Sequence, residues 1–155
     1  MLNYKALTSF FILLCAGFVN VCAQARVQFP NTQSKYEQAL ELYQKNQYGN
    51  AQSLFDALSS DNTIPEKEKA SSEFHAALCA IALYNGDSED RVERFATNYE
   101  LSPLKNDLYL AYANYKFSLR SYRDAQEFYD KVDPYALSNE ELEEFQFKKV
   151  YSLLM

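Results

Sequence analysis

This sequence of 155 residues has few of the residues on which enzymes and disulfide-stabilised folds depend. It contains one histidine, three cysteines and three glycines, and it has no tryptophan. Scarce glycine disfavours an all-β sandwich, which needs many tight turns. The formal net charge is −6, and no local cluster of lysine or arginine offsets it. Because a phosphate backbone needs a basic surface, a nucleic-acid partner is not expected.

Aromatic rings are abundant instead. Thirteen tyrosines and eleven phenylalanines predict a core filled by rings. Apolar residues make up 48% of the chain, which is ordinary for a globular protein and disfavours disorder. The length is that of one domain.

The first 25 residues have the pattern of a secretory signal peptide. Lys5 precedes an apolar run over residues 6–19, and small residues follow at Ala23 and Ala25. This order predicts cleavage after Ala25, or after Ala23 on a shifted reading. The alternative is an uncleaved anchor, but the run is short for a membrane span. We therefore expect export, with no stable membrane insertion once the leader is removed.

Cleavage would leave Cys79 as the single thiol, because Cys15 and Cys22 lie in the leader. One thiol cannot form an internal disulfide, so packing must stabilise the fold. Lipidation is not expected either, since a lipoprotein signal needs a small residue before its cysteine. Here Leu14 and Val21 occupy those positions.

The clearest motif is a three-residue helical pattern near the C-terminus. Tyr122, Ala125 and Tyr129 stand at i, i+3 and i+7, so on a helix a small side chain lies between two rings on one face. Two earlier copies, the second one weaker, are Tyr48, Ala51 and Phe55, and Ser88, Arg91 and Phe95. The steps between copies are 40 and 34 residues. A helical unit recurring at about 34 residues is typical of a helix–turn–helix array.

Apolar periodicity and capping signals predict seven helices and no strands. The first two predicted helices span about 32–45 and 48–59, and the third runs from Pro65 to a stop at Asn85-Gly86. The other four start after Asp87, at Ser102-Pro103, after Ser121 and at the Ser138/Glu141 capping box. All four prolines fall between helices or at their starts. Short connections make neighbouring helices antiparallel. The predicted fold class is therefore all-α.

With this spacing the chain resembles the tetratricopeptide repeat (TPR) family. The third unit matches its consensus best, at Tyr109, Tyr112, Ala113, Tyr122, Ala125, Tyr129 and, slightly late, Pro134. The second unit departs at Ser88 and Arg91, and the first lacks the turn glycine. The resemblance implies an α-solenoid of antiparallel helix pairs with about three repeats plus one extra C-terminal helix. Its parts would be a short extended lead-in over 26–33, repeats over 34–60, 65–102 and 103–134, and a half repeat over 138–155.

The leader and the tyrosine-rich repeats are also similar to the N-terminal part of secreted TPR proteins of Bacteroidetes-type bacteria. This looser resemblance implies a periplasmic location. The last predicted helix carries apolar residues that need cover, so further repeats beyond residue 155 are expected. A natural terminal cap is the alternative.

Residues with catalytic or metal-binding chemistry are few. His75 and Cys79 stand at i and i+4 on one predicted helix and could touch one metal ion. No third ligand is apparent, and Cys79 occupies the small packing position of its repeat, so core packing is the preferred interpretation. No nucleophile–base motif surrounds the single histidine. We expect no enzyme activity, no metal and no cofactor.

In TPR proteins the first helices of successive repeats line a concave groove that holds an extended peptide or a partner's helix. By repeat register, the implied groove residues here are Tyr36, Leu40, Tyr43, Ala76, Ala80, Leu83, Tyr84, Leu110, Asn114 and Phe117. Asn114 lacks the basic neighbours with which relatives grip a C-terminal carboxylate, so a free carboxy-terminus is not the expected ligand.

The predicted function is a non-enzymatic periplasmic scaffold or adaptor that binds an envelope protein or peptide in this groove. Two alternatives stay open. One is an outer-membrane assembly or cell-wall coordination factor. The other is the N-terminal repeat segment of a longer multidomain protein, which could carry an enzyme domain elsewhere.

Overall fold

A computed structural model describes the backbone over residues 31–155 and the side chains from residue 35. The predicted signal peptide and most of the predicted lead-in lie outside these residues. Within them the elements are α1 (Asn31–Gln44), α2 (Tyr48–Ser59), α3 (Glu66–Ala82), α4 (Ser88–Asn98), α5 (Leu104–Ser118), α6 (Tyr122–Tyr129), a 3-10 turn (Pro134–Ala136) and α7 (Asn139–Leu154). This part of the chain has no strand, so the all-α prediction is confirmed for it.

The helix boundaries differ little from those that the sequence predicts. The main difference is at the start, where α1 begins at Asn31 rather than at about residue 32 and includes the last three residues of the lead-in predicted over 26–33. At α7, the predicted capping box is present, because the Ser138 hydroxyl accepts from the backbone N–H of Glu141 and the Glu141 carboxylate accepts from that of Ser138. In the part of the chain that the structure covers, no helix is both long enough and apolar enough to cross a bilayer.

Each helix packs against the next one in the chain, and α3 also packs on α5, as α5 does on α7. The pairs α1–α2, α3–α4 and α5–α6 are closed by the same kind of turn. Asn46, Tyr84 and Arg120, each just past the first helix of its pair, have left-handed φ angles of 57°, 59° and 61°. In each turn the next N–H donates to the carbonyl five residues earlier, as Gln47 to Leu42, Asn85 to Ala80 and Ser121 to Lys116. This is a Schellman motif, and it satisfies carbonyls that the helix end leaves unpaired.

The second turn differs from its sequence prediction. The sequence locates the stop of α3 at Asn85-Gly86, because glycine is the usual left-handed residue after a helix. Instead Tyr84 adopts that conformation, while Gly86 has no positive φ. The hydrogen bonds of the Schellman turn thus outweigh the cost of a left-handed residue with a Cβ.

The three-residue motif has the same position in each helix pair. Its first residues, Tyr48, Ser88 and Tyr122, begin α2, α4 and α6. Its last residues are fully buried rings, namely Phe55, Phe95 and Tyr129. Ala51 and Ala125, between the rings, are also fully buried. The last aromatic position of the motif, and the alanine position in the first and third pairs, are therefore packing positions.

Two hydrophobic clusters form the core, and α3 belongs to both. Ala76 and Cys79 of α3 join a cluster with buried residues of α1 and α2. Phe74, Ala77 and Ile81 join a larger cluster that continues through α4, α5, α6 and α7. Since α3 lies between α2 on one side and α4 and α5 on the other, it is buried on two faces and needs small residues on one of them.

Candidate protein-binding surface

Nine of the ten predicted groove residues divide into three groups by their positions, and Asn114 is separate from them. Ala76 is 1% exposed and Ala80 is 0% exposed. Ala76 belongs to the cluster that α3 forms with α1 and α2, where its small side chain allows the helices to approach closely. Buried side chains cannot line a groove, so Ala76 and Ala80 are packing residues rather than groove residues. The sequence pattern could not separate the two roles, because small residues suit both a groove floor and a close helix contact.

The three residues of α1 form the second group, and they are half-buried. The ring of Tyr36 contacts Phe55 and His75 edge-on, with centroids 5.7 and 5.9 Å apart. The ring of Tyr43 contacts Tyr48 and His75 in the same way, at 5.4 and 5.8 Å. Leu40 packs at the edge of the N-terminal cluster. These side chains join α1 to α2 and α3, so only part of each remains for a ligand.

His75 is enclosed by these rings. It stacks on Phe55 with centroids 5.0 Å apart and meets Phe74 edge-on at 5.2 Å. Its Nδ1 lies 2.7 Å from the carbonyl oxygen of Ser71. Since a carbonyl only accepts, Nδ1 carries the proton and donates. Burial lowers the pKa of His75, and the hydrogen bond to Ser71 opposes this only in part.

Cys79 is fully buried one turn beyond His75. Burial raises the pKa of its thiol to about 12, and the nearby Asp56 carboxylate adds to the rise. The thiol is therefore protonated at neutral pH, whereas metal binding and nucleophilic attack need the thiolate. Across the residues that the structure describes, no group of three or more histidine, cysteine, aspartate or glutamate side chains is arranged to hold a metal ion.

The third group lies near the C-terminal end of α3 and on α5. Leu83 is 39% exposed and Tyr84 is 67% exposed. The Tyr84 ring contacts the ring of Tyr115 on α5, with centroids 5.6 Å apart. Phe117 and Leu110, also on α5, are half-buried. Phe117 lies on the other side of α5, where its ring contacts Tyr122 and Tyr151 at 5.5 and 5.7 Å. We call Leu83, Tyr84 and Tyr115 the aromatic surface; it lies at the C-terminal ends of α3 and α5, the first helices of their pairs.

Tyr115 was not among the groove residues that the sequence predicts. The repeat register assigned its neighbour Asn114 instead. The amide oxygen of Asn114 accepts from the Tyr129 hydroxyl at 2.8 Å and from the Lys148 ammonium at 3.1 Å. Asn114 thus joins α5 to α6 and α7, while Tyr115 contacts the neighbouring pair. In the sequence, Tyr115 was marked only by its position three residues after another aromatic residue, Tyr112.

A concavity of about 270 Å³ lies between α2, α3 and α4. Asp56, Glu73 and Arg91 line it together with Arg94. The Arg91 guanidinium is already bound to the carboxylates of Asp56 and Asp87. An anionic ligand here would face carboxylates as well as guanidinium groups, so the cleft is weaker than the aromatic surface as a candidate site.

Comparison with protein-family models, with curated proteins and with solved structures finds no match to this chain. The resemblance to tetratricopeptide repeats is therefore carried by the residues and turns described above.

Proposed function

We propose that this chain is a non-enzymatic protein–protein interaction scaffold of the periplasm, built as a TPR-like α-solenoid that binds an envelope protein or peptide. The observation that carries the proposal is the aromatic surface, formed at the corresponding ends of two successive first helices. Within the proposed array this is one end of the concave groove.

The three matching turns support a repeat architecture. The left-handed residues Asn46, Tyr84 and Arg120 follow one another at steps of 38 and 36 residues, close to the length of a TPR unit. The second helices begin at equivalent motif positions in all three pairs. A single helix pair cannot bury its apolar face, and stacking of neighbours provides the cover.

The chemistry of the aromatic surface suits a protein ligand. Tyrosine offers a large apolar ring with a polar tip and loses little side-chain entropy on binding, which is why it is frequent at interface hot spots. Tyr84 has these properties and is held in place by its contact with Tyr115. Since Ala76 and Ala80 are buried, we expect contacts to concentrate at Leu83, Tyr84 and Tyr115 rather than along the whole of α3.

Site-specific photocrosslinking in the native bacterium tests this proposal. A photoreactive phenylalanine analogue replaces Tyr84 in one variant and Tyr135, which is 97% exposed and lies far along the chain, in a matched control. We expect a discrete protein adduct from position 84 that disappears when Leu83→Glu is added, and none of that size from position 135. Equal adducts at both positions, or none at 84, would contradict the proposal.

The location is tested on the same cells. The periplasmic fraction should contain the chain with a new N-terminus, Arg26 for cleavage after Ala25 or Gln24 for cleavage after Ala23. Recovery with Met1 intact, or in the membrane fraction after a salt wash, would contradict the periplasmic assignment.

A further inference from the structure

The turn after α3 contains the dipeptide Asn85-Gly86, and Asn85 is the only asparagine in the sequence that precedes a glycine. Glycine has no Cβ, so its backbone nitrogen is less hindered than that of any other residue. Gly86 is exposed, and a Cβ built on it would meet no atom within 4 Å. Open space therefore surrounds the residue that follows Asn85.

The hydrogen bonds of the Schellman turn leave the Gly86 nitrogen without a partner. The turn binds the N–H of Asn85, which donates to the carbonyl of Ala80 at 3.0 Å. Within residues 35–155 the next N–H, that of Gly86, donates to no backbone carbonyl and to no side chain. An N–H that is free of hydrogen bonds exchanges its proton with water more readily than a bound one, so this nitrogen can act as a nucleophile.

The first turn differs in both respects. Its asparagine is Asn46, which is exposed and stands one position earlier in the motif, at the left-handed residue. The residue after it, Gln47, has a Cβ, and the Gln47 N–H donates to the carbonyl of Leu42 at 2.9 Å. The nitrogen that follows Asn46 is thus both hindered and hydrogen-bonded.

We infer that Asn85 is a site of spontaneous deamidation in the folded protein. The Gly86 nitrogen gives up its proton to base and attacks the side-chain carbonyl carbon of Asn85. A bond forms between that nitrogen and that carbon, the bond from the carbon to the amide nitrogen breaks, and ammonia leaves. Water then opens the cyclic imide at either of its two carbonyl carbons, which gives aspartate or isoaspartate. No electrons are transferred, and water is the only reactant besides the chain.

The reaction changes a contact between two helix pairs. The Asn85 amide donates from Nδ2 to Oε1 of Gln52 at 3.1 Å, and Gln52 is a buried residue of α2. A carboxylate has no N–H to donate, so two acceptor oxygens would face each other, and the lost hydrogen bond costs stability. The product also places a negative charge next to Tyr84 of the aromatic surface. This inference does not depend on the binding function proposed for that surface.

Peptide mapping by mass spectrometry tests the reaction. The whole chain is incubated in its folded state in mildly alkaline buffer and is then digested with trypsin, which releases residues 70–91 as a peptide whose only amide side chain is Asn85. We expect this peptide to gain the mass of an amide-to-acid change and to separate into aspartate and isoaspartate forms, while Asn46 stays unchanged. Equal conversion at the two asparagines, or none at Asn85, overturns the inference.

Gly86→Ala is the matched variant for the mechanism. Gly86 has no positive φ and has room for a Cβ, so alanine should leave the melting temperature unchanged while it hinders the attacking nitrogen. The variant should lose most of the conversion at Asn85. If it keeps the rate of the wild type, attack by the Gly86 nitrogen is refuted.

Asn85→Asp supplies the aspartate product directly and tests its consequence. Asn46→Asp is the control, because it adds the same charge in the corresponding turn and keeps an acceptor for the Tyr48 hydroxyl, which lies 2.7 Å from Oδ1 of Asn46. Asn85→Asp should lower the melting temperature by more than Asn46→Asp does. Equal melting temperatures would show that the contact with Gln52 carries no such effect, which overturns the stated consequence.

Discussion

The guanidinium of Arg91 donates two hydrogen bonds to the carboxylate of Asp56, at 2.7 Å to Oδ1 and 3.3 Å to Oδ2. Arg91 stands at the motif position where the other two copies have a buried alanine. It also donates to Asp87 at 2.7 Å. The second copy of the motif matches less well because Arg91 replaces the small residue. In the structure, Arg91 forms an ion bridge between α2 and α4, which belong to different helix pairs.

Arg91→Ala should lower the free energy of unfolding by about 1–2 kcal/mol, because it removes charge-assisted hydrogen bonds from a side chain that is mostly buried. Arg94→Ala is the control, since Arg94 is exposed on the same helix and should cost less than about 0.5 kcal/mol. Urea unfolding measures both. A stabilised Arg91→Ala would show that the position prefers the small residue of the motif after all.

Ala125→Leu should destabilise the C-terminal pairs. Ala125 is fully buried, so added methyl groups force neighbours apart at a cost of about 1–3 kcal/mol. Ala57→Leu places the same side chain on an exposed position of α2 and should be nearly neutral. Thermal melting monitored by circular dichroism compares the two variants. An unchanged melting curve for Ala125→Leu would refute the packing role of the motif.

Arg120→Gly should raise the free energy of unfolding by about 0.5–1 kcal/mol, because Arg120 is exposed and its φ of 61° costs energy for any residue with a Cβ. The adjacent Leu119 has a φ of −80°, so Leu119→Gly should destabilise the protein instead. Chemical denaturation should show changes in the free energy of unfolding that have opposite signs for the two variants if Arg120 holds the left-handed position of a Schellman turn. The same sign for both would contradict it.

His75 should make the protein less stable in mild acid. Burial lowers its folded pKa, so the unfolded chain takes up the proton first as the pH falls. Above the ordinary pKa of 6.5 the histidine is neutral in both states and costs no stability. As the pH falls through that value toward the folded pKa, the free energy of unfolding decreases. His75→Phe keeps a ring against Phe55 and removes the titration. Urea unfolding from about pH 7.5 to pH 5 should show a smaller loss in the variant; equal losses would exclude His75 as the cause.

Much of the fold follows from local patterns in the sequence. The Ser138/Glu141 box marks the start of α7, and the motif positions Tyr48 and Tyr122 begin α2 and α6. These signals act over one or two helical turns, so they can be read without a partner element. The turn at Tyr84 could not be identified in this way, because the neighbouring glycine was the better local candidate.

The candidate site depended more on tertiary contacts. Leu83, Tyr84 and Phe117 were assigned by register and stay accessible to differing degrees. Ala76 is buried in the cluster that α3 forms with α1 and α2, and Ala80 is buried as well. Tyr115 was missed, since its significance is its contact with Tyr84 of the neighbouring helix pair.

The sequence by itself determined the helices, their order and the small-between-aromatic packing motif, because periodicity and capping are properties of short segments. Only the tertiary structure decided which apolar residues are core and which are surface. α3 is covered on two faces, while α7 leaves Phe147, Val150 and Leu154 open. The reason is physical: an apolar stripe specifies that a helix face needs cover, but the neighbour that supplies it is chosen by the packing of the whole chain.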